Sequence, residues 1–116
     1  MKPIDRQQVQ QTIDQLAGKE LYIHLETTNG AYASHKNQSF FSAGAFLRNA
    51  KIQYVQGKLT GEGPFRLGLE MESGWAYAEG LTDWEIDDSH QVLLAGHDHD
   101  GKLAIAFQLS EKPFRK

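Results

Sequence analysis

The sequence contains no cysteine. That excludes disulfides, thiol nucleophiles and thiolate metal sites, and it leaves the redox compartment open. No run of about 20 apolar residues occurs, so no helical membrane span is expected. The opening stretch MKPIDRQQVQQTIDQL lacks the apolar segment of a secretory signal. No basic stripe is present either. Twelve Lys and Arg against 15 Asp and Glu give a net charge of −3, a poor match to duplex nucleic acid or an anionic membrane surface. Internal repeats, low-complexity tracts and a βαβ alternation are all missing. What remains is 116 residues, 40% hydrophobic and 23% charged, the composition of an ordinary folded domain. Residues 1–116 are therefore expected to form one domain, with the cytoplasm as its default location.

The first element is a helix, over about residues 4–17. Asp5 is a good N-cap and Gln8 follows it at capping-box spacing. Ile4 and Val9 stand at staple positions, while Val9, Ile13, Leu16 and Ala17 make one narrow apolar stripe. Gly18 is the expected stop. After it the period changes from 3.6 to 2, and the β-rich part runs over about 20–110. Leu21, Ile23 and Leu25 face one way; Tyr22, His24 and Glu26 face the other. Asn29-Gly30 then gives the strongest short hairpin signal. A two-residue turn there would place His24 opposite His35 and Glu26 opposite Ala33.

Residues 39–52 mix large aromatics with Gly and Ala, and we expect an irregular strand. Further strands are expected at 51–60, where Gly57 suggests a bulge, at 65–72, at 75–79 with Gly80 breaking it, and at 82–87. Asp100-Gly101 predicts a second hairpin, pairing Gly96 with Ile105, Leu94 with Phe107 and Val92 with Leu109. Its other face carries Leu93, Ala95, Ala104, Ala106 and Gln108, too apolar to be simply wet. A helix, a sheet or a second subunit should cover it. The chain is thus expected to be mainly β (α+β): an N-terminal helix packed on an antiparallel β-sandwich or small barrel of about eight strands.

Three groups of side chains could carry chemistry. His24, Glu26 and His35 would share one hairpin face, and two imidazoles with a carboxylate suit zinc, manganese or iron. The same three residues are equally what the solvated side of a hairpin offers. His97 and His99 have H-x-H spacing for one metal, although the Asp-Gly turn beside them explains the same residues. Trp75, Tyr77, Glu79 and Trp84 could line a small-ligand cleft, or simply fill the core. No serine sits in G-x-S-x-G or S-x-x-K, and no glycine-rich phosphate loop lies between a strand and a helix.

The stretches YIHLETTNGAYASH, FSAGAFLRNAKI, GWAYAEGLTDWE and LLAGHDHDGKLAIA together resemble the YojF family of small Bacillus-type proteins of unknown function. The resemblance runs nearly end to end. It implies a compact cytosolic β-rich domain, and a link by gene neighbourhood to an LmbE-like deacetylase of bacillithiol metabolism. It supplies no catalytic motif. The expectation is accordingly a binding or accessory domain rather than an enzyme, a homodimer with a candidate protein partner in that deacetylase, and with no cofactor implied beyond a divalent metal (zinc, manganese or iron) in the alternative reading. A metal-dependent enzyme built on His24, Glu26 and His35, and a ligand-binding barrel, are the alternatives.

Overall fold

A computed structural model describes residues 1–27, 44–87 and 91–115. A two-residue strand β1 (Lys2–Pro3) precedes the helix α1 (Arg6–Leu16). The strands β2 (Leu21–Thr27), β3 (Phe46–Ile52), β4 (Tyr54–Gly61), β5 (Phe65–Met71), β6 (Trp75–Leu81), β7 (Asp83–Ile86), β8 (Val92–His97) and β9 (Leu103–Ser110) follow. They form two antiparallel sheets. The larger has the order β1-β7-β8-β9-β2-β3 and the smaller β4-β5-β6. The sheets do not close into a barrel, so of the two architectures expected the sandwich-like one is found. The chain crosses between the sheets twice, at Gln53 between β3 and β4 and at Thr82 between β6 and β7.

The helix begins as its sequence predicts: Asp5 Oδ1 accepts the Gln8 N–H at 3.1 Å. Val9, Ile13 and Leu16 are buried, and the helix packs on β4, the edge strand of the small sheet. Gln10 makes the contact specific. Its Nε2 donates to Gly57 O at 2.8 Å, and its Oε1 accepts the Leu59 N–H at 2.8 Å. One side-chain amide thus satisfies an edge donor and an edge acceptor, as a neighbouring strand would, and shields the edge from other chains. The Tyr54 hydroxyl donates to Ile13 O at 2.6 Å, and burial pushes its ionisation far above the usual phenol range, with the Asp14 charge adding to the effect.

One core joins the helix and both sheets. Val92 and Leu94 of β8, Phe107 and Leu109 of β9, Leu21 and Ile23 of β2, and Leu67 and Leu69 of β5 all lie in it. The predicted register of the last hairpin holds at Val92–Leu109, Leu94–Phe107 and Gly96–Ile105. Its tip does not have the expected two-residue turn. The Asp98 N–H donates to Lys102 O, and Asp98 O accepts the Gly101 N–H, both at 2.9 Å, which closes a three-residue loop with Gly101 at φ 79°. An irregularity between Gly96 and His97 adds one residue on β9 and restores the predicted register.

Three local expectations are corrected. The bulge of β4 lies at Val55, between the Tyr54–Met71 and Gln56–Glu70 pairs, and Gly57 is not the bulged residue. Gly57 is glycine for lack of room: a Cβ there would fall 2.5 Å from Ile13 Cγ2 and 2.8 Å from Leu69 Cδ2. Gly80 does not end β6, since at φ 79° it is the extra residue between the Arg66–Glu79 and Phe65–Leu81 pairs. The partners of β2 are β3 and β9, so His24 stands opposite Arg48 and Gln108, not opposite a strand from an immediate hairpin. Asn29-Gly30 and His35 lie outside the described residues.

Candidate binding face on the small sheet

The outward-facing residues of β4, β5 and β6 form three rows across the small sheet. Gln56 pairs with Glu70 and Glu70 with Trp75; Lys58 pairs with Gly68 and Gly68 with Tyr77; Thr60 pairs with Arg66 and Arg66 with Glu79. This grid follows from strict alternation, because Leu59, Leu67, Leu69 and Ala78 between these positions are buried on the other face. Its centre is Gly68. With no side chain there, a cleft of about 210 Å³ opens between the aromatic wall of β6 and the polar wall Gln56, Lys58 and Thr60.

The aromatic wall is ordered by stacking. Trp75 and Tyr77 lie parallel within 7°, with ring centroids 5.8 Å apart. The Arg66 guanidinium sits 4.2 Å from the Tyr77 centroid and its Nε is 3.1 Å from Glu79 Oε1. Indole, phenol, guanidinium and carboxylate thus form one file along the strand. Tyr77 also leans over Gly68, where a Cβ would approach its Cε1 at 3.1 Å. Both aromatic rings remain wet, Trp75 55% and Tyr77 48% exposed, although large aromatics are normally drawn into a core this small. The face carries Lys58 and Arg66 against Glu70 and Glu79, so it is charge-balanced.

Of the four residues expected at a ligand cleft, Trp75, Tyr77 and Glu79 share this face. Trp84 does not. It is 3% exposed in the core of the large sheet, and its Nε1 has no hydrogen-bond partner among the described residues. Gln56, Lys58, Thr60, Arg66 and Gly68 were not singled out from the sequence. The signal was available, since the polar positions of the 54–61 and 65–71 strands alternate cleanly, but sequence alone does not pair the strands.

The histidines are dispersed. His24 is 7% exposed, its ring edge-on to Phe46 at 5.4 Å. Arg48 Nη1 lies 2.9 Å from its Nδ1. A guanidinium only donates, so Nδ1 is placed to accept, and Nε2 lies 3.4 Å from Glu26 Oε2. His24 and Glu26 therefore share one face as expected, and Arg48 joins them. His97 Nδ1 lies 2.7 Å from Asp83 Oδ2, which also accepts the Thr82 hydroxyl at 2.8 Å. These contacts hold the Asp83 carboxyl below its usual range, the Thr82 hydrogen bond first among them. The Thr82 proton goes to the carboxylate, not to the imidazole, so no activated hydroxyl results. His99 has its side chain 92% exposed at the hairpin tip, with Nε2 3.7 Å from Asp100 Oδ2. His24 and His97 are separated by β9 and by four residues along the strands, roughly 15 Å. Among the described residues no three His, Asp or Glu side chains gather as ligands for one ion.

The fold and this face define a two-sheet, mainly β domain with a surface cleft and no complete catalytic group among its described residues. The chain belongs to a family of proteins of unknown function (DUF1806), whose model matches residues 3–114. It is 49% identical over 114 residues to the uncharacterized protein YojF of Bacillus subtilis (strain 168), covering 98% of each chain. The crystal structure of the Bacillus subtilis YojF protein matches with a TM-score of 0.82 at 45% identity, over 99% of this chain and 97% of that one.

Proposed function

We propose that the protein is a non-enzymatic binding domain whose working surface is the outer face of β4, β5 and β6. The ligand it fits is an uncharged, polyhydroxylated ring compound, a saccharide. The observation that carries this reading is the exposed parallel Trp75–Tyr77 pair facing Gln56, Lys58 and Thr60 across Gly68. An aromatic face takes the C–H side of a sugar ring, while amide, ammonium and hydroxyl groups serve its oxygens. Charge balance argues against a strongly charged ligand. The test is a titration with mono- and oligosaccharides followed by intrinsic tryptophan fluorescence. Binding that Trp75→Ala removes supports the reading. Binding that survives Trp75→Ala, or no binding by any sugar tried, refutes it.

The expected homodimer is part of the same proposal. Leu93, Ala104, Ala106 and Gln108 face away from the core, and the helix packs on β4 instead of on them. A sedimentation mass of one chain at micromolar concentration would exclude the dimer. An accessory role beside an LmbE-like deacetylase is tested by whether the two co-purify and whether deacetylase turnover changes. The cytoplasm is the compartment in which both roles would be played.

A further inference from the structure

The cleft over Gly68 reaches β4, the edge strand of the small sheet. Lys58 and Thr60, which form its polar wall, also line a second hollow of about 630 Å³ between β4 and the helix, where Arg6, Gln7, Gln10, Gln11, Asp14 and Leu59 complete the lining. The two hollows thus flank the same two side chains. We propose that they form one trough and that its occupant is a linear, uncharged saccharide chain, bound with one ring on Trp75 and further rings running across β5 and β4 to the helix. This deepens the saccharide reading above and rests on it.

Three observations favour a chain over a single ring. The first is length. Strands about 4.8 Å apart and a helix about 10 Å beyond the edge strand give a trough of roughly 15–20 Å, the length of about three or four linked pyranose rings. The second is chemistry along that length. The aromatic platform lies at one end only, and the far end offers the exposed amides of Gln7 and Gln11, which make no hydrogen bond among those described within the protein. Gln10 between them is committed to Gly57 and Leu59 and serves as floor. The third is the form of the platform. Two rings inserted face to face need about 7 Å between them to admit a third, at 3.5 Å per contact. Trp75 and Tyr77 are 5.8 Å apart and parallel, so no slot for a proline ring opens between them, and the ligand ring must lie on the open side of the pair. Single-stranded nucleic acid would need an unopposed cationic track, whereas Lys58 and Arg66 stand here beside Glu70 and Glu79, and Arg6, which donates to Gly61 O, shares its hollow with Asp14.

Calorimetric titration with β-1,4-linked glucose and N-acetylglucosamine oligomers and α-1,4-linked glucose oligomers, of two to six units, tests the inference. Affinity should rise roughly tenfold from the disaccharide to the tetrasaccharide of the series that binds, and level off beyond it. Gln7→Ala with Gln11→Ala should weaken the tetrasaccharide about two- to tenfold, the size of one lost hydrogen bond, and leave the disaccharide unchanged. Trp75→Ala should abolish both. Added salt should leave the affinities unchanged. Equal affinity at every length, or no effect of the glutamine substitutions, overturns the trough while leaving the single-ring site in place. Displacement by a proline-rich peptide as effective as by the tetrasaccharide overturns the choice of occupant. Absence of binding at all lengths removes the saccharide reading, and the trough with it.

Discussion

Gln10 should contribute more to stability than any other exposed-side residue of the helix. Among the described residues it alone satisfies the Gly57 carbonyl and the Leu59 amide on the open edge of β4, through two 2.8 Å hydrogen bonds. Each such bond contributes about 0.5–1.5 kcal/mol net, so Gln10→Ala should cost roughly 1–3 kcal/mol. Alanine recovers a few tenths of that through its higher helix propensity. For a domain of this length the loss corresponds to a fall in Tm of about 5–10 °C. Urea denaturation followed by far-UV circular dichroism measures it, with Gln11→Ala as the control. Gln11 lies one residue on, is exposed and should change stability by less than about 0.5 kcal/mol. Gln10→Glu should be worse than Gln10→Ala at neutral pH, because a carboxylate would face the Gly57 carbonyl with no proton to donate. If Gln10→Ala and Gln11→Ala behave alike, the edge clamp is not a stabilising contact and the helix is held by its apolar stripe alone.

Gly57→Ala should destabilise by about 1–3 kcal/mol, since the added methyl meets Ile13 and Leu69 in the tightest part of the helix contact; chemical denaturation reads this directly. Asn49, at φ 60°, clamps the C-terminal segment by donating from Nδ2 to Phe114 O at 2.8 Å and accepting the Phe114 N–H on Oδ1 at 2.7 Å, so Asn49→Ala should raise the amide exchange rate of Phe114 at least tenfold. The lowered Asp83 carboxyl stabilises the fold above its unfolded value of about 3.9 and ceases to do so as pH falls through its lower folded value. The stability gap between the native protein and Asp83→Asn should therefore shrink as pH falls below about 4; a gap that widens over that range would reverse the sign of the argument.

The elements legible in the sequence were those whose determinants are local. Asp5, Gln8 and the Val9, Ile13, Leu16 spacing place the helix to within two residues. The alternation flanking Asp100-Gly101 gives the β8–β9 register from Val92 to Gly96, because one slip would turn the apolar face outward, and the irregularity beside Gly96 absorbs the three-residue turn that the dipeptide did not predict. The β2 pairing was not legible. Asn29-Gly30 is a strong signal over a few residues, but β2 takes its partners from 46–52 and 105–110, and no short-range pattern encodes that choice. The site was half legible for a related reason. Alternation puts Trp75, Tyr77 and Glu79 on one side of β6, yet it does not say which side is the core. Trp84, only five residues past Glu79, goes inward because the chain bulges at Gly80 and changes sheet at Thr82. The opposite wall, Gln56, Lys58 and Thr60, became visible only once the β4–β5–β6 order was known.

The central claim is that Trp75 meets the ligand and Trp84 does not. The chain has two tryptophans, so its NMR spectrum shows two indole N–H signals, assignable with Trp75→Phe. On addition of a tetrasaccharide of the series that binds, the Trp75 signal should shift progressively to saturation while that of the buried Trp84 stays fixed. A saturating shift confined to Trp84, or binding by calorimetry with neither indole moving, would contradict the account.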